Sequence, residues 1–440
     1  MKGTKYNAAD WHEHAVIYNL FLRLFTPEGT LNAAEKQLPR LAGLGVNVIY
    51  LSPVVLADDD MDRRFWSRRT RESGTGNPRN PYRTKDFFAI DPEYGTAEDL
   101  KSFLSVCHKL GMKALVDIVY LHCGPRAVHI QEHPDFVLRN PDGTIRAGEE
   151  WPFARHDFGN PGLREYLISN MEFWLREFGF DGFRCDSADK IPLDFWREAR
   201  TRVEKIRPDV IIVGETNGTR PGEQDHAIDA SFGYARNGYF YNLLRYGDSP
   251  AAYREHHEQL AGQCPGGVFV NYEENHDIAN DLGENRFERT CPPGKTDAVF
   301  FLSVFLDGIP FLYNGCEIAD GAPQTFLGRR GDPGHTPIDW TPTPRGMERT
   351  ALVRELLSIR KKHPQFRAKA PLRWVDNPEP DQLMTFIRDE SMFVCANLFE
   401  GTHTMPLPFP AAPVWTRDCR KADDTAVIMD SFGVGIFRKT

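Results

Sequence analysis

The 440-residue chain is 41% hydrophobic and 26% charged and carries 30 Phe and 14 Tyr, which suits a globular protein with a large core and excludes a disordered one. A net charge of −9, spread without acidic or basic blocks, gives no footprint for nucleic acid or an anionic membrane surface, so a neutral partner is expected. The length accommodates one large domain with insertions and a small companion.

At the start, MKGTKYNAADWHEHAVIYNLFLRLF lacks the apolar run of roughly 7 to 15 residues that marks a secretory leader, and no stretch is long and apolar enough to span a membrane. A cytoplasmic protein is expected. Short β-branched and aromatic runs then alternate with segments of helical period. Strands are predicted at 16–22, 46–51, 113–119, 182–186, 210–214, 227–230, 268–272 and 309–313. Helices are predicted at 96–110, 161–178, 192–206 and 297–306, the first and last opening at Thr96 and Asp297 as caps. This alternation predicts an α/β fold, a closed (β/α)8 TIM barrel over residues 1–363.

Two connections are too long for ordinary loops: 52–92 after the second strand and 122–160 after the third, the latter read as an inserted loop domain. Both leave the C-terminal ends of barrel strands, the face on which barrels build their sites. After a helix at 349–363 the pattern turns to period-two strands at 383–388 and 392–398, around Asp389 and Glu390. Residues 364–440 are therefore predicted to form a small antiparallel β-domain. The eight cysteines show no Cys/His spacing typical of a metal site and are expected to be reduced thiols.

Asp117, His122, Arg184, Asp186, Glu215, His276 and Asp277 stand at or just past predicted strand ends and should converge on one mouth. In FRCD the period-two alternation sends Arg184 and Asp186 to one face and Cys185 to the other. Carboxylates crowded in one pocket repel one another, which raises at least one pKa. Retaining glycosidases need one ionised carboxylate to attack the anomeric carbon and one protonated carboxyl to protonate the leaving oxygen. Asp186 beside Arg184, and Glu215 after the apolar run VIIVG, suit those two roles.

Four ordered motifs, DIVYLH at 117–122, GFRCD at 182–186, GE at 214–215 and ENHD at 274–277, resemble the alpha-amylase family, glycoside hydrolase family 13. The resemblance extends over nearly the whole chain. It implies Asp186 as nucleophile, Glu215 as general acid/base, Asp277 as transition-state stabiliser and Arg184 as partner of the nucleophile. It further implies His122 and His276 as sugar-hydroxyl ligands and Tyr82, in PYRTKDFFAIDPEYGT, as the aromatic that stacks on the sugar. No cofactor is implied. The family's structural calcium commonly uses an Asn at the position held here by Leu121, which offers no oxygen ligand, so that site is expected to be absent or weakened.

These residues imply a retaining hydrolase of alpha-glucosidic bonds, chiefly alpha-1,4, in maltooligosaccharides or starch-like glucans. Two alternatives stay open: a transglycosylase or disaccharide isomerase using the same intermediate, and a non-catalytic glycan-binding relative. Oligomeric state is not legible. The run Arg63, Arg64, Arg68, Arg69 and Arg71 is interleaved with Asp58, Asp59, Asp60, Asp62 and Glu72, and reads as a solvated loop face rather than a phosphate site. Phe65, Trp66 and Trp151 either add sugar subsites or pack the long loops together.

Overall fold

The structure, a computed structural model, describes residues 8–148, 151–280, 286–332 and 334–440. Among these, eight parallel strands form a ring: β1 (Ile17–Leu20), β2 (Val48–Leu51), β3 (Lys113–Ile118), β4 (Gly182–Cys185), β5 (Ile211–Gly214), β6 (Ala230–Ser231), β7 (Val270–Asn271) and β8 (Ile309–Tyr313). Consecutive strands are neighbours from β1 to β6, and β7 reaches β1 through β8. A parallel bridge between Ser231 and Phe269 closes the ring. The (β/α)8 barrel is therefore present.

Period-two alternation explains the two buried layers. Ile17, Val48, Tyr50, Leu115, Ile211, Val213, Ile309 and Phe311 share one apolar cluster, which fills the ring. Their neighbours Tyr18, Ile49, Leu51, Val116, Phe183, Cys185, Ile212 and Leu312 join the larger cluster against the helices. The Cys185 thiol thus packs outward, as the alternation in FRCD predicts.

Six of the observed strands start later or end earlier than predicted by one or two residues at an end, β8 matches, and β6 differs in kind. The strand expected at 227–230 pairs only from Ala230, because the helical turn before it (Glu223–His226) is capped at Ala227 and the Ile228 N–H still donates back to the Glu223 carbonyl at 3.1 Å. The first predicted helix forms as α1 (Ala97–Lys109), held by a capping box in which Thr96 and Asp99 exchange hydrogen bonds. The second forms as α2 (Pro161–Phe173), capped by Asn160 and prolonged by a wider turn over Trp174–Phe178. The third is α3 (Leu193–Val203).

Asp297 does not open a helix. Pro293 begins α4 (Pro293–Phe305), because a proline at the first turn costs no hydrogen bond, and Asp297 falls in its buried interior. There its carboxylate accepts from Arg349 at 2.6 Å and Arg345 at 2.8 Å, both on α5 (Pro344–Lys362), and from Arg417 at 2.8 Å.

Arg417 belongs to the C-terminal sheet, which comprises β9 (Leu372–Trp374), β10 (Leu383–Arg388), β11 (Met392–Asn397), β12 (His403–Pro406), β13 (Ala411–Lys421) and β14 (Ala426–Lys439). All its pairings are antiparallel, with β14 between β11 and β12 and also paired to β13. Asp389 and Glu390 turn β10 into β11 with φ of 47° and 54°.

Replacing Asp297 by Ala takes the 2.6 Å partner from the Arg349 guanidinium, which is 1% exposed, and leaves it Glu273 and a longer 3.8 Å contact to Glu288. Loss of one partner of a buried ion pair costs about 3–5 kcal/mol. Urea denaturation of Asp297→Ala is expected to show a loss of that order, and an unchanged midpoint would contradict the anchoring role.

Candidate active site

The site sits at the C-terminal ends of the barrel strands, where the two long connections fold over them. In the first connection Val55–Ala57 pairs antiparallel with Thr84–Ile90, and in the second His122–Cys123 pairs with Ala154–Arg155. The excursions are fastened to each other: Arg126 N–H donates to Asp58 at 2.8 Å, Arg126 Nε to Asp60 at 2.7 Å, and Gly124 N–H to the Thr84 carbonyl at 2.8 Å. Between them and the barrel lies a cavity of about 360 Å³ lined by Tyr82, His122, Asp186, Glu215, His276 and Asp277, with Arg69, Trp151, Tyr234 and Phe326. That volume falls in the usual range for a small-molecule site.

Strand ends place two of the acids and a capped helical turn places the third. Asp186 and Glu215 follow β4 and β5 directly, and their backbone N–H groups continue the ladder to the carbonyls of Ile118 and Cys185 at 2.9 Å each. Asp277 opens a short turn (His276–Asn280), where the Asn275 side chain accepts from the N–H groups of Asp277 and Ile278 at 3.0 and 2.9 Å.

Arg184 ties the acids together from below. Its Nη1 donates to Asp117 at 3.0 Å and to Asp186 at 3.0 Å, and its Nη2 lies 2.9 Å from Glu215. The arginine is 1% exposed and lies over the rings of Tyr50 and Phe232. Asp117, fully buried, also accepts from the hydroxyls of Tyr50 at 2.6 Å and Tyr82 at 3.0 Å. Since Tyr82 gives its proton to Asp117, the hydroxyl accepts from His276 Nε2, 2.8 Å away. The Tyr82 and His276 rings stack at 5.3 Å.

One cation for several carboxylates leaves negative charge uncompensated, and burial makes that costly. Burial raises Asp186 to about 6 and Asp117 to about 6 despite Arg184, and raises Glu215 to about 7. Asp277 goes the other way. Burial pushes it up too, but the charges of His276 and Arg69 outweigh this and hold it at about 2. His276 itself is lowered by burial to about 4, so at neutral pH Arg69 carries that pairing. The arrangement can present an ionised Asp186 and a protonated Glu215 together near pH 6–7.

The basic run is not uniformly a solvated face. Arg64 and Arg68 do pair with Asp62 and Glu72 at the surface. Arg69, however, turns inward, donates to Asp277 at 2.5 Å and lies over the Trp151 ring. Sequence reading missed it because its neighbours alternate in charge, and only the short helix Arg68–Glu72, capped by Ser67, aims that one side chain at the mouth. The aromatic alternatives also separate. Trp66 is buried and donates its indole N–H to the Asp60 carbonyl, packing its loop, whereas Trp151 lines the cavity.

Ser187 and Tyr234 are further wall residues without a motif to mark them. Ser187 has φ of 43° and donates its N–H to Glu215 at 2.6 Å, so backbone strain is spent on orienting that carboxyl. Leu121 is 1% exposed in the apolar layer against the helices. A hydrocarbon there offers no oxygen and does not fit a calcium ion.

Residues 4–141 and 153–374 match the family model described as the catalytic domain of alpha amylase. The chain is 26% identical to a maltogenic alpha-amylase of Bacillus acidopullulyticus over 92% of its own length and 73% of that protein. It is 25% identical to a cyclomaltodextrinase of Geobacillus thermopakistaniensis over 93% and 73%. An intracellular maltogenic amylase of Bacillus subtilis is also 25% identical, over 83% and 61%. Among solved structures, a noncanonic maltogenic alpha-amylase from Thermotoga neapolitana superposes with a TM-score of 0.80 over 97% of this chain and 98% of that one; at 23% identity the likeness concerns the fold.

A carboxyl whose pKa is higher folded than unfolded costs stability above its folded pKa and nothing below its unfolded value. Glu215→Gln is therefore expected to stabilise the protein by on the order of 1–3 kcal/mol at pH 8. The gain should vanish by about pH 4.5, the ordinary value for Glu. Denaturation curves at both pH values check this; an unstabilised variant at pH 8 would contradict the raised pKa.

Proposed function

The chain belongs to the alpha-amylase family, and on that premise we propose that it is a retaining hydrolase of alpha-1,4-glucosidic bonds in maltooligosaccharides or related alpha-glucans. It is an alpha-amylase-like glycoside hydrolase; the linkage, the stereochemistry and the residue roles are what is proposed. The observation that carries the reading is the Arg184 guanidinium shared by Asp117, Asp186 and Glu215 at the floor of the cavity, with Asp277 at its rim.

In this mechanism Glu215, held at about 7 by burial, protonates the glycosidic oxygen as the bond to the leaving sugar breaks. Asp186, lower at about 6, attacks the anomeric carbon and forms a glycosyl ester. Glu215, now ionised, takes a proton from water, which hydrolyses the ester with net retention. Asp277, kept ionised by Arg69, accepts hydrogen bonds from sugar hydroxyls and offsets positive charge at the oxocarbenium-like transition state. His122 and His276 bind hydroxyls. Tyr82, one face covered by His276, offers the other to the sugar's C–H groups.

The eight cysteines are all unpaired thiols, which supports a cytoplasmic setting, as does the likeness to the intracellular maltogenic amylase of Bacillus subtilis. No helix among the described residues is long and apolar enough to cross a membrane.

Incubation with a defined maltooligosaccharide, followed by NMR of the first products, tests the reaction. Shorter products appearing first as the alpha anomer are expected, with Glu215→Gln slower by roughly 10²–10⁴-fold. Beta-anomeric first products would exclude retention, and longer products would shift the reading to transfer. The pH profile of kcat/KM should be a bell. Activity falls below about pH 6 as Asp186 gains a proton and above about pH 7 as Glu215 loses one. A plateau extending to pH 9 would contradict the assignment of Glu215 as acid.

A further inference from the structure

Behind the cavity wall, Cys123, His129 and His156 converge from three parts of the second long connection. Cys123 lies on the strand His122–Cys123, His129 on the short helix Val128–Glu132, and His156 just past the returning strand Ala154–Arg155. They are 0%, 1% and 3% exposed, and one donor atom of each lies within 4.8 Å of the others. The catalytic mechanism uses none of them.

The imidazoles face each other through Nε2, 2.8 Å apart. His156 Nδ1 lies 2.8 Å from the Tyr120 carbonyl, which can only accept, so Nδ1 carries the proton and Nε2 points a lone pair at His129. A backbone carbonyl on the far nitrogen is the usual way a metal-binding histidine is oriented. His129 is clamped by ring contacts, stacked on Tyr166 at 4.9 Å and edged by Phe87, while its Nδ1, also buried, has no hydrogen-bond partner. Packing alone asks for apolar rings here, and two buried imidazoles beside a thiol leave polar groups short of partners.

We propose that Cys123 Sγ, His129 Nε2 and His156 Nε2 bind one zinc ion. One thiolate and two imidazoles form a nitrogen and sulfur set suited to zinc, whereas calcium and magnesium demand oxygen. On binding, the Cys123 S–H bond breaks, sulfur donates its electron pair to the metal, and the proton leaves to solvent. The His129 ring proton moves from Nε2 to Nδ1, freeing the second nitrogen lone pair, and a water completes four-coordination. No oxidation state changes. The ion staples Cys123 and His129 at the start of the second long connection to His156 on its returning side, and thereby fixes His122, the cavity residue next to Cys123.

The full-length protein, stripped with a chelator and dialysed, is titrated with zinc chloride and separately with cobalt chloride. One zinc per chain retained through gel filtration is expected, together with a thiolate-to-cobalt charge-transfer band in the near ultraviolet and a zinc-dependent rise in Tm. Cys123→Ser should abolish the band and the Tm shift. His129→Gln, which keeps the thiol, should weaken zinc at least about tenfold. The proposal is overturned if wild type retains no zinc, if its cobalt spectrum lacks the thiolate band, or if Cys123→Ser binds zinc as tightly as wild type.

Discussion

A single buried guanidinium sets the terms for the rest of the molecule. Arg184 reaches three carboxylates from the floor of the barrel, and one positive charge cannot neutralise three negative ones in a low-dielectric site. Burial, which the one guanidinium offsets only in part, raises their pKa values, and the ordering follows from the surroundings. Asp277, paired with Arg69, stays low against the effect of burial, while Glu215 rises furthest. The architecture exists to hold that imbalance. β3, β4 and β5 set Asp117, Arg184, Asp186 and Glu215 at fixed heights, and the two layers of apolar side chains keep water from relaxing the charge.

Most of the barrel was legible because its information is local. A strand end followed by a charged residue can be read from period-two alternation, and α1 announces itself through Thr96 and Asp99. The motifs around Asp186, Glu215 and Asp277 were legible for the same reason, since each acid sits one step past a strand or a capping Asn. What escaped depends on pairings across long sequence separations. Arg69 and Asp277 are 208 residues apart, and nothing near Arg69 distinguishes it from Arg64 or Arg68. Asp297 resembles a cap until Pro293 is seen to start the helix a turn earlier and three arginines are seen to need an acceptor. The strand after β5 was placed too early because Ala227 and Ile228, apolar like strand residues, are tied back to the preceding turn through the Glu223 carbonyl.

The cavity owes its roof to two loops that would be floppy if independent. Asp58 and Asp60 receive Arg126, Gly124 pairs with Thr84, and Arg69 lies over Trp151, so the loops share backbone and side-chain contacts along their length. Ordering one therefore lowers the entropy cost of ordering the other. His122 and Tyr82 come from different loops yet face the same space because of this mutual bracing.

Arg349 carries a consequence for how the protein can be taken apart. It holds Asp297 on α4 and also Glu273, the residue immediately before the ENHD segment, and Asp297 in turn holds Arg417 of the C-terminal sheet. A run of alternating charges thus connects the outermost sheet to the backbone that carries His276 and Asp277. The C-terminal sheet is wired to the rim of the cavity, not appended to the barrel. In any recombination of modules between relatives, the unit that must travel intact is the barrel together with its last helix and that sheet, with crossover points placed outside the charge chain.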